Sequence, residues 1–201
     1  MSLSPLRVGI DVPWVTSWSA EAFIGIRPCP TVRGRPALCQ AEDPGHGKPQ
    51  YSKNHMVRQR LSVVRMLCPM CGEPTDASDR WTQVATRQAA GALRLKGMSL
   101  PPEILDDTVV LDAGSIAPLH RRCVDRSLLH CPHLRGNPDV KVMRFPDRWT
   151  TVPLFIETDP VEGLRPKVVG FLQLCGITRT IDRRWRGSSF LALPITRPTA
   201  S

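Results

Sequence analysis

Cys68-Pro69-Met70-Cys71-Gly72 is the stretch on which the reading of this chain turns. Two thiolates two residues apart reach one ion around a tight turn. Pro69 presets that turn, and Gly72 lets backbone amides fold back towards sulfur without a Cβ clash. Redox dithiols use the same gap, but they sit in a βαβ unit, and no such pattern surrounds this pair. The gap recurs in His120-Arg121-Arg122-Cys123, which follows Pro118 at the start of a short helical segment. A first pair from a turn and a second from a helix N-terminus describe a treble-clef-like module. Cys68, Cys71, His120 and Cys123 then make a closed tetrahedral site for one structural zinc ion.

The 48 residues between Cys71 and His120 are many for a compact zinc module, and a hairpin with a long inserted loop accounts for them. Cys131-Pro132-His133, eight residues past Cys123, offers two competitors for the fourth ligand position. The plainer reading of that pair is a buried thiol at a helix end and a solvated histidine. Cys175, inside the apolar run Val168–Leu174, reads as a core residue. Cys29 and Cys39 bracket a basic loop with no histidine pair nearby. Seven cysteines cannot all pair as disulfides, so the spacing points to metal chemistry in a reducing, cytoplasmic setting.

Outward from the first pair, Ser52 or Asn54 opens a helix that delivers the chain to Cys68. Val57, Leu61 and Val64 form its apolar face, and Arg58, Arg60 and Arg65 take more exposed positions. Before it, Val8, Ile10, Val12, Trp14, Val15 and Trp18 suggest a short strand and a turn, and Phe23, Ile24 and Ile26 a second apolar run. Residues 27–50, rich in Pro and Gly, read as loop. Between the metal pairs, 81–86 and 108–111 read as strands, with 94–107 a mobile loop broken by Pro101-Pro102. After His120 a short helix turns Val124, Leu128 and Leu129 inward and stops before Pro132. Residues 140–145, 151–156, 167–174 and 188–195 read as strands. The expected fold is α+β, with short antiparallel strands and a few short helices around the zinc module. It divides into an N-terminal basic segment (1–66), the zinc-binding module (67–136) and a β-rich segment (137–201) packing on the same core.

In this setting a resemblance emerges. Gly45–Pro49, His55–Arg60, Leu67–Gly72, His120–Cys123 and Cys131–Leu134 together resemble a group of uncharacterised zinc-binding proteins from actinobacteria and their phages. The likeness spans roughly residues 45–136, with His120 standing where the group carries a cysteine, an exchange that zinc tolerates. The resemblance implies the metal site and brings no activity with it.

The formal net charge of the 201-residue chain is +9, concentrated at 27–65 (+6), 120–148 (+4) and 178–197 (+4). If folding joins these stretches, Arg58, Arg60, Arg121, Arg122, Arg183, Arg184 and Arg186 would meet the phosphate backbone of DNA or RNA. Arg outnumbers Lys 22 to 5, so codon bias alone could also scatter basic residues. An aromatic content of 5% speaks against platforms that stack single strands. The enzyme readings lack parts. A zinc deaminase needs His-x-Glu, which is missing. An HNH-like nuclease needs a histidine base and further metal-holding residues, and His46, His55 with Asn54, His130 and His133 have no convincing spacing; His46 and His55 read as surface residues. No phosphate loop, nucleophile elbow or other small-molecule site is visible, and no apolar run is long enough to span a membrane. The sequence therefore leads to a zinc-stabilised, non-enzymatic nucleic-acid-binding protein, with a protein-binding adaptor as the alternative.

Overall fold

The computed structural model describes residues 2–156 and 167–178. Its elements in chain order are β1 (Thr16–Trp18), β2 (Phe23–Pro28), β3 (Pro36–Gln40), β4 (Pro49–Asn54), α1 (Met56–Arg65), β5 (Trp81–Thr82), β6 (Thr86–Ala89), α2 (Ala90–Leu95), β7 (Val109–Asp112), α3 (Arg121–His130), β8 (Met143–Arg144), β9 (Trp149–Ile156) and β10 (Val168–Ile177). This is the α+β architecture expected. The strand expected at 188–195 and Arg183, Arg184 and Arg186 lie outside the described residues.

β10 organises the main sheet. It is apolar and buried along nearly its whole length, as a strand covered on both faces must be. β9 lines one of its edges antiparallel, from Ile156 opposite Val168 to Trp149 opposite Gly176. The other edge is shared. Its start pairs parallel with β3 at Val169 and Ala37, and its end pairs antiparallel with β7 from Cys175 to Ile177. β2 flanks β3 and β6 flanks β7. The six-stranded sheet thus draws strands from all three segments of the chain.

Between β3 and β7 the edge of β10 is completed by side chains of α1. Gln59 acts as a strand in miniature, because its Oε1 accepts from Leu172 N–H at 3.0 Å and its Nε2 donates to Leu172 O at 2.8 Å. Arg60 bridges the diverging strands, donating to Gly170 O at 2.6 Å and Leu38 O at 2.7 Å. Buried backbone groups must be satisfied, and a helix meeting a sheet edge can do this only with polar side chains.

That join corrects the reading of α1. Its most buried residues are Arg58, Gln59, Arg60, Ser62 and Val63, while Val57, Leu61 and Val64 are only half-buried. Arg58 forks onto the carboxylate of Glu21, Nη1 to Oε1 at 2.5 Å and Nη2 to Oε2 at 2.8 Å, and donates to Thr16 O. Arg58 and Arg60 are 2% and 0% exposed, so neither meets solvent phosphate; only Arg65 is exposed as read. His55, expected at the surface, is fully buried and caps α1 by accepting from Arg58 N–H.

Two loop readings are also corrected. Residues 27–50 contain β3, whose Ala37 and Cys39 are buried in spite of the surrounding Pro and Gly. Residues 94–107 pack rather than swing free. Leu93, Leu100 and Ile104 form a second core with Val110, Val152, Cys175 and Ile177, and Arg94 clamps the segment to Asp106 and to the carbonyls of Pro101 and Ile104. Leu129 points outward, whereas Val124 is buried. Cys175 is the core residue expected, and burial pushes its thiol up to about 12. Among the described residues no helix is long and apolar enough to cross a membrane.

Candidate metal centre

α1 ends on Met66, which adopts a left-handed conformation with φ of 51°. Glycine would relieve the strain, but Met66 fills the main core beside Val63, and Thr75 binds its carbonyl through both N–H and hydroxyl. The chain then enters a narrow turn. Cys68 N–H donates to Glu73 O and Gly72 N–H to Cys68 O, both at 2.8 Å, folding Cys71 back beside Cys68. Gly72 has a φ of +83°, and a Cβ there would sit 2.9 Å from the Trp14 ring, so glycine is required twice over. The N-terminal segment wraps this turn, with Trp14 N–H and Val15 N–H donating to Met70 O and Pro69 O.

The long insertion closes through a single bridge. Trp81 and Leu119 exchange both backbone hydrogen bonds, which places His120 and the start of α3 against the turn. His120 is the N-cap residue of α3 without a side-chain cap bond. Asp79 supplies one from outside the helix, accepting from Arg121 N–H at 2.9 Å and Trp81 Nε1–H at 3.0 Å. One face of α3 then presents Cys123 and Val124 inward, packed with Leu119 and Cys68.

Cys68 Sγ, Cys71 Sγ, a ring nitrogen of His120 and Cys123 Sγ all lie within 4.8 Å of one another. His120 Nδ1 is 3.4 Å from Cys71 Sγ and 4.0 Å from Cys123 Sγ. Four ligands around zinc, at about 2.3 Å for sulfur and about 2.0–2.1 Å for nitrogen, stand roughly 3.5–3.8 Å apart, so the cluster has the dimensions of a tetrahedral site. His120 Nε2 is 3.0 Å from Pro74 O, a carbonyl that can only accept, which puts the proton on Nε2 and leaves the Nδ1 lone pair facing the sulfurs. Cys131 and His133 are not part of the group, and among the described residues Cys29 and Cys39 join no such group either.

Electrostatics favour a cation here. Burial raises the Cys68 thiol against the pull of backbone N–H groups of Cys71, His120 and Met70. Burial, reinforced by Cys68 and Cys71, pushes the Cys123 thiol up to about 12. Ionising these thiols together in so buried a cluster therefore calls for a positive charge between them. Cys68 and Cys123 are buried and His120 nearly so, while Cys71 at the turn is partly exposed. The cluster can hold one metal ion.

Of the arginines singled out beside the site, Arg121 and Arg122 are exposed. Arg121 is already engaged, with Asp125 at 3.1 Å and the Trp81 ring at 5.2 Å, while Arg144 covers the same ring at 5.4 Å. Arg122 makes no such contact within the described residues. The sequence reading missed the Asp79 cap and the Trp81–Leu119 bridge. Trp81 at the head of an expected strand was the one visible signal for either. Comparisons with family models, with curated proteins and with solved structures give no match for this chain.

Proposed function

We propose that Cys68, Cys71, His120 and Cys123 hold one zinc ion as a structural cross-link, and that the chain so stabilised binds the phosphate backbone of nucleic acid without catalysing a reaction. The carrying observation is the fixed His120 ring, whose Nδ1 faces three sulfurs while Nε2 is held by Pro74 O. Three soft thiolates and an imidazole in a tetrahedral cluster are the donor set of zinc. With the net charge of +9, and Arg121 and Arg122 exposed beside the cluster, the fixed module offers positive charge on a rigid frame.

Elemental analysis of protein made in zinc-replete, reducing conditions should give about one zinc per chain, and a value near zero refutes the metal reading. Binding to arbitrary duplex DNA should weaken steeply with salt, because each neutralised phosphate releases counterions. A second reading, an adaptor for another protein, draws on the exposed Phe23, Ile24 and Ile26 of β2. Absence of salt-sensitive binding to any nucleic acid would favour it.

A further inference from the structure

Many of the arginines that the structure describes are already employed. Arg58, Arg94, Arg7 and Arg121 pair with carboxylates, and Arg60, Arg126 and Arg144 donate to backbone carbonyls. The end of the β2–β3 ribbon differs. Arg27, next to last in β2, stands opposite Ala37. Arg33 and Arg35 lie on the turn between the strands, where Arg33 N–H donates to Pro30 O and Cys29 N–H to Arg35 O. All three side chains are exposed, and none is hydrogen-bonded or ion-paired to another described residue.

This end is rigid. Cys29 and Val32 within the turn are buried in the main core with Val63 and Met66, so the turn is seated on the last turns of α1. Arg65, exposed and likewise without an ion pair, belongs to that same part of α1. No Asp or Glu occurs in residues 22–41 or 44–72, so no acid on these elements neutralises the four guanidiniums. Such a cluster carries an unfavourable self-repulsion that a polyanion removes.

We propose that this surface, Arg27, Arg33 and Arg35 with the helix end that carries Arg65 packed beneath the turn, is where a DNA duplex lies, its phosphates meeting the guanidinium forks. The inference rests on the nucleic-acid reading above and gives it a location. The cations span a strand end, a turn and a helix. An extended peptide added along β2 would meet Arg27 and pass the others, whereas a duplex presents phosphates across a broad face. Single-strand platforms need several stacking aromatics, and β2 offers only Phe23. The contacts read backbone and not bases, since no element here projects into a groove.

The test compares full-length, zinc-loaded protein with Arg27→Gln/Arg33→Gln/Arg35→Gln and with Arg121→Gln/Arg122→Gln, titrated with a short duplex DNA of arbitrary sequence over a salt series. The triple variant should keep its zinc and lower the slope of log affinity against log salt by about 2.7, at roughly 0.9 per phosphate contact. If wild type binds and the triple variant keeps its slope while Arg121→Gln/Arg122→Gln loses it, the location is wrong and the nucleic-acid reading stands. If wild type shows no salt-sensitive binding to DNA, both fall. Binding to phosphatidylserine vesicles in place of DNA, lost in the triple variant, would assign the surface to a membrane and overturn the proposal.

Discussion

Two joins hold distant parts of this chain together, and they differ in what they use. At the metal centre, Cys71 meets His120 across 49 positions; at the seam between α1 and β10, Gln59 meets Leu172 across 113. Both bury groups that are costly to remove from water. The metal centre uses side chains of rare chemistry at a characteristic spacing. The seam uses Gln59 and Arg60 against backbone carbonyls and amides, which every residue carries, and beside it Arg58 against a lone Glu21. A partner is legible in a sequence only when it is chemically distinctive, and backbone never is.

The sharpest way to break the comparison is at the metal. Cys68→Ser or Cys71→Ser should abolish zinc binding and with it the cooperative fold around α3, since structural zinc contributes about 10–16 kcal/mol in small modules while whole domains are stable by only about 5–15. Zinc content and thermal unfolding read this directly. Cys131→Ala should leave both unchanged, because Cys131 stands outside the ligand group. Loss of zinc there would mean that the fourth ligand is misassigned.

The seam should respond next most strongly. Arg58→Met leaves the Glu21 carboxylate buried without its partner and should cost about 3–5 kcal/mol, a large part of which a second change, Glu21→Gln, restores. Gln59→Leu strands the N–H and C=O of Leu172, at about 1–3 kcal/mol for each unsatisfied group. Urea unfolding of zinc-loaded protein measures both with the metal join intact. Costs below about 0.5 kcal/mol, ordinary for surface changes, would show that the seam is decoration on a fold held by zinc.

The same contrast explains what the sequence disclosed. The four clustered residues and α3 follow from local spacing and periodicity. Val57, Leu61 and Val64, read as the apolar face of α1, are only half-buried, with Val64 packed on the main core, because a 3.6-residue apolar period assumes an apolar neighbour, and here much of the neighbour is an open strand edge. β3 was hidden by the Pro and Gly around it, although Pro36-Ala37-Leu38-Cys39-Gln40 alternates as a half-buried strand should. Leu100 and Ile104 were read as loop because Pro101-Pro102 separates them. Prolines interrupt regular structure but do not prevent irregular chain from packing.

The smallest expected effect tests how the seam responds to acid. His55 is held neutral, its Nδ1 accepting from Arg58 N–H and its Nε2 donating to Ala41 O at 3.0 Å. Burial first and the Arg58 charge second lower its pKa below 6.5, against the raising influence of Ala41 O, Glu21 and Glu42. Burial opposes ionisation of Glu21 too, yet its hydrogen bonds from Arg58 and Trp18 N–H and the Arg58 charge outweigh it and hold the carboxyl below 4.5. For both groups the unfolded chain binds more protons within the window between the two pKa values, so stability rises with pH there. The His55 contribution is complete above about 6.5 and lost as pH falls through its lowered folded value. The Glu21 contribution is lost only further down, below about 4.5. Acid also strips metal ligands, so the comparison must cancel that. His55→Asn keeps an N-cap acceptor and removes the titration. Between pH about 7.5 and about 5.5, the urea midpoint of wild type should fall more steeply than that of His55→Asn, each with equal zinc content at the start. Parallel lines would mean that His55 keeps its ordinary protonation in the folded chain, and that the polar face of α1 is wetter than its packing implies.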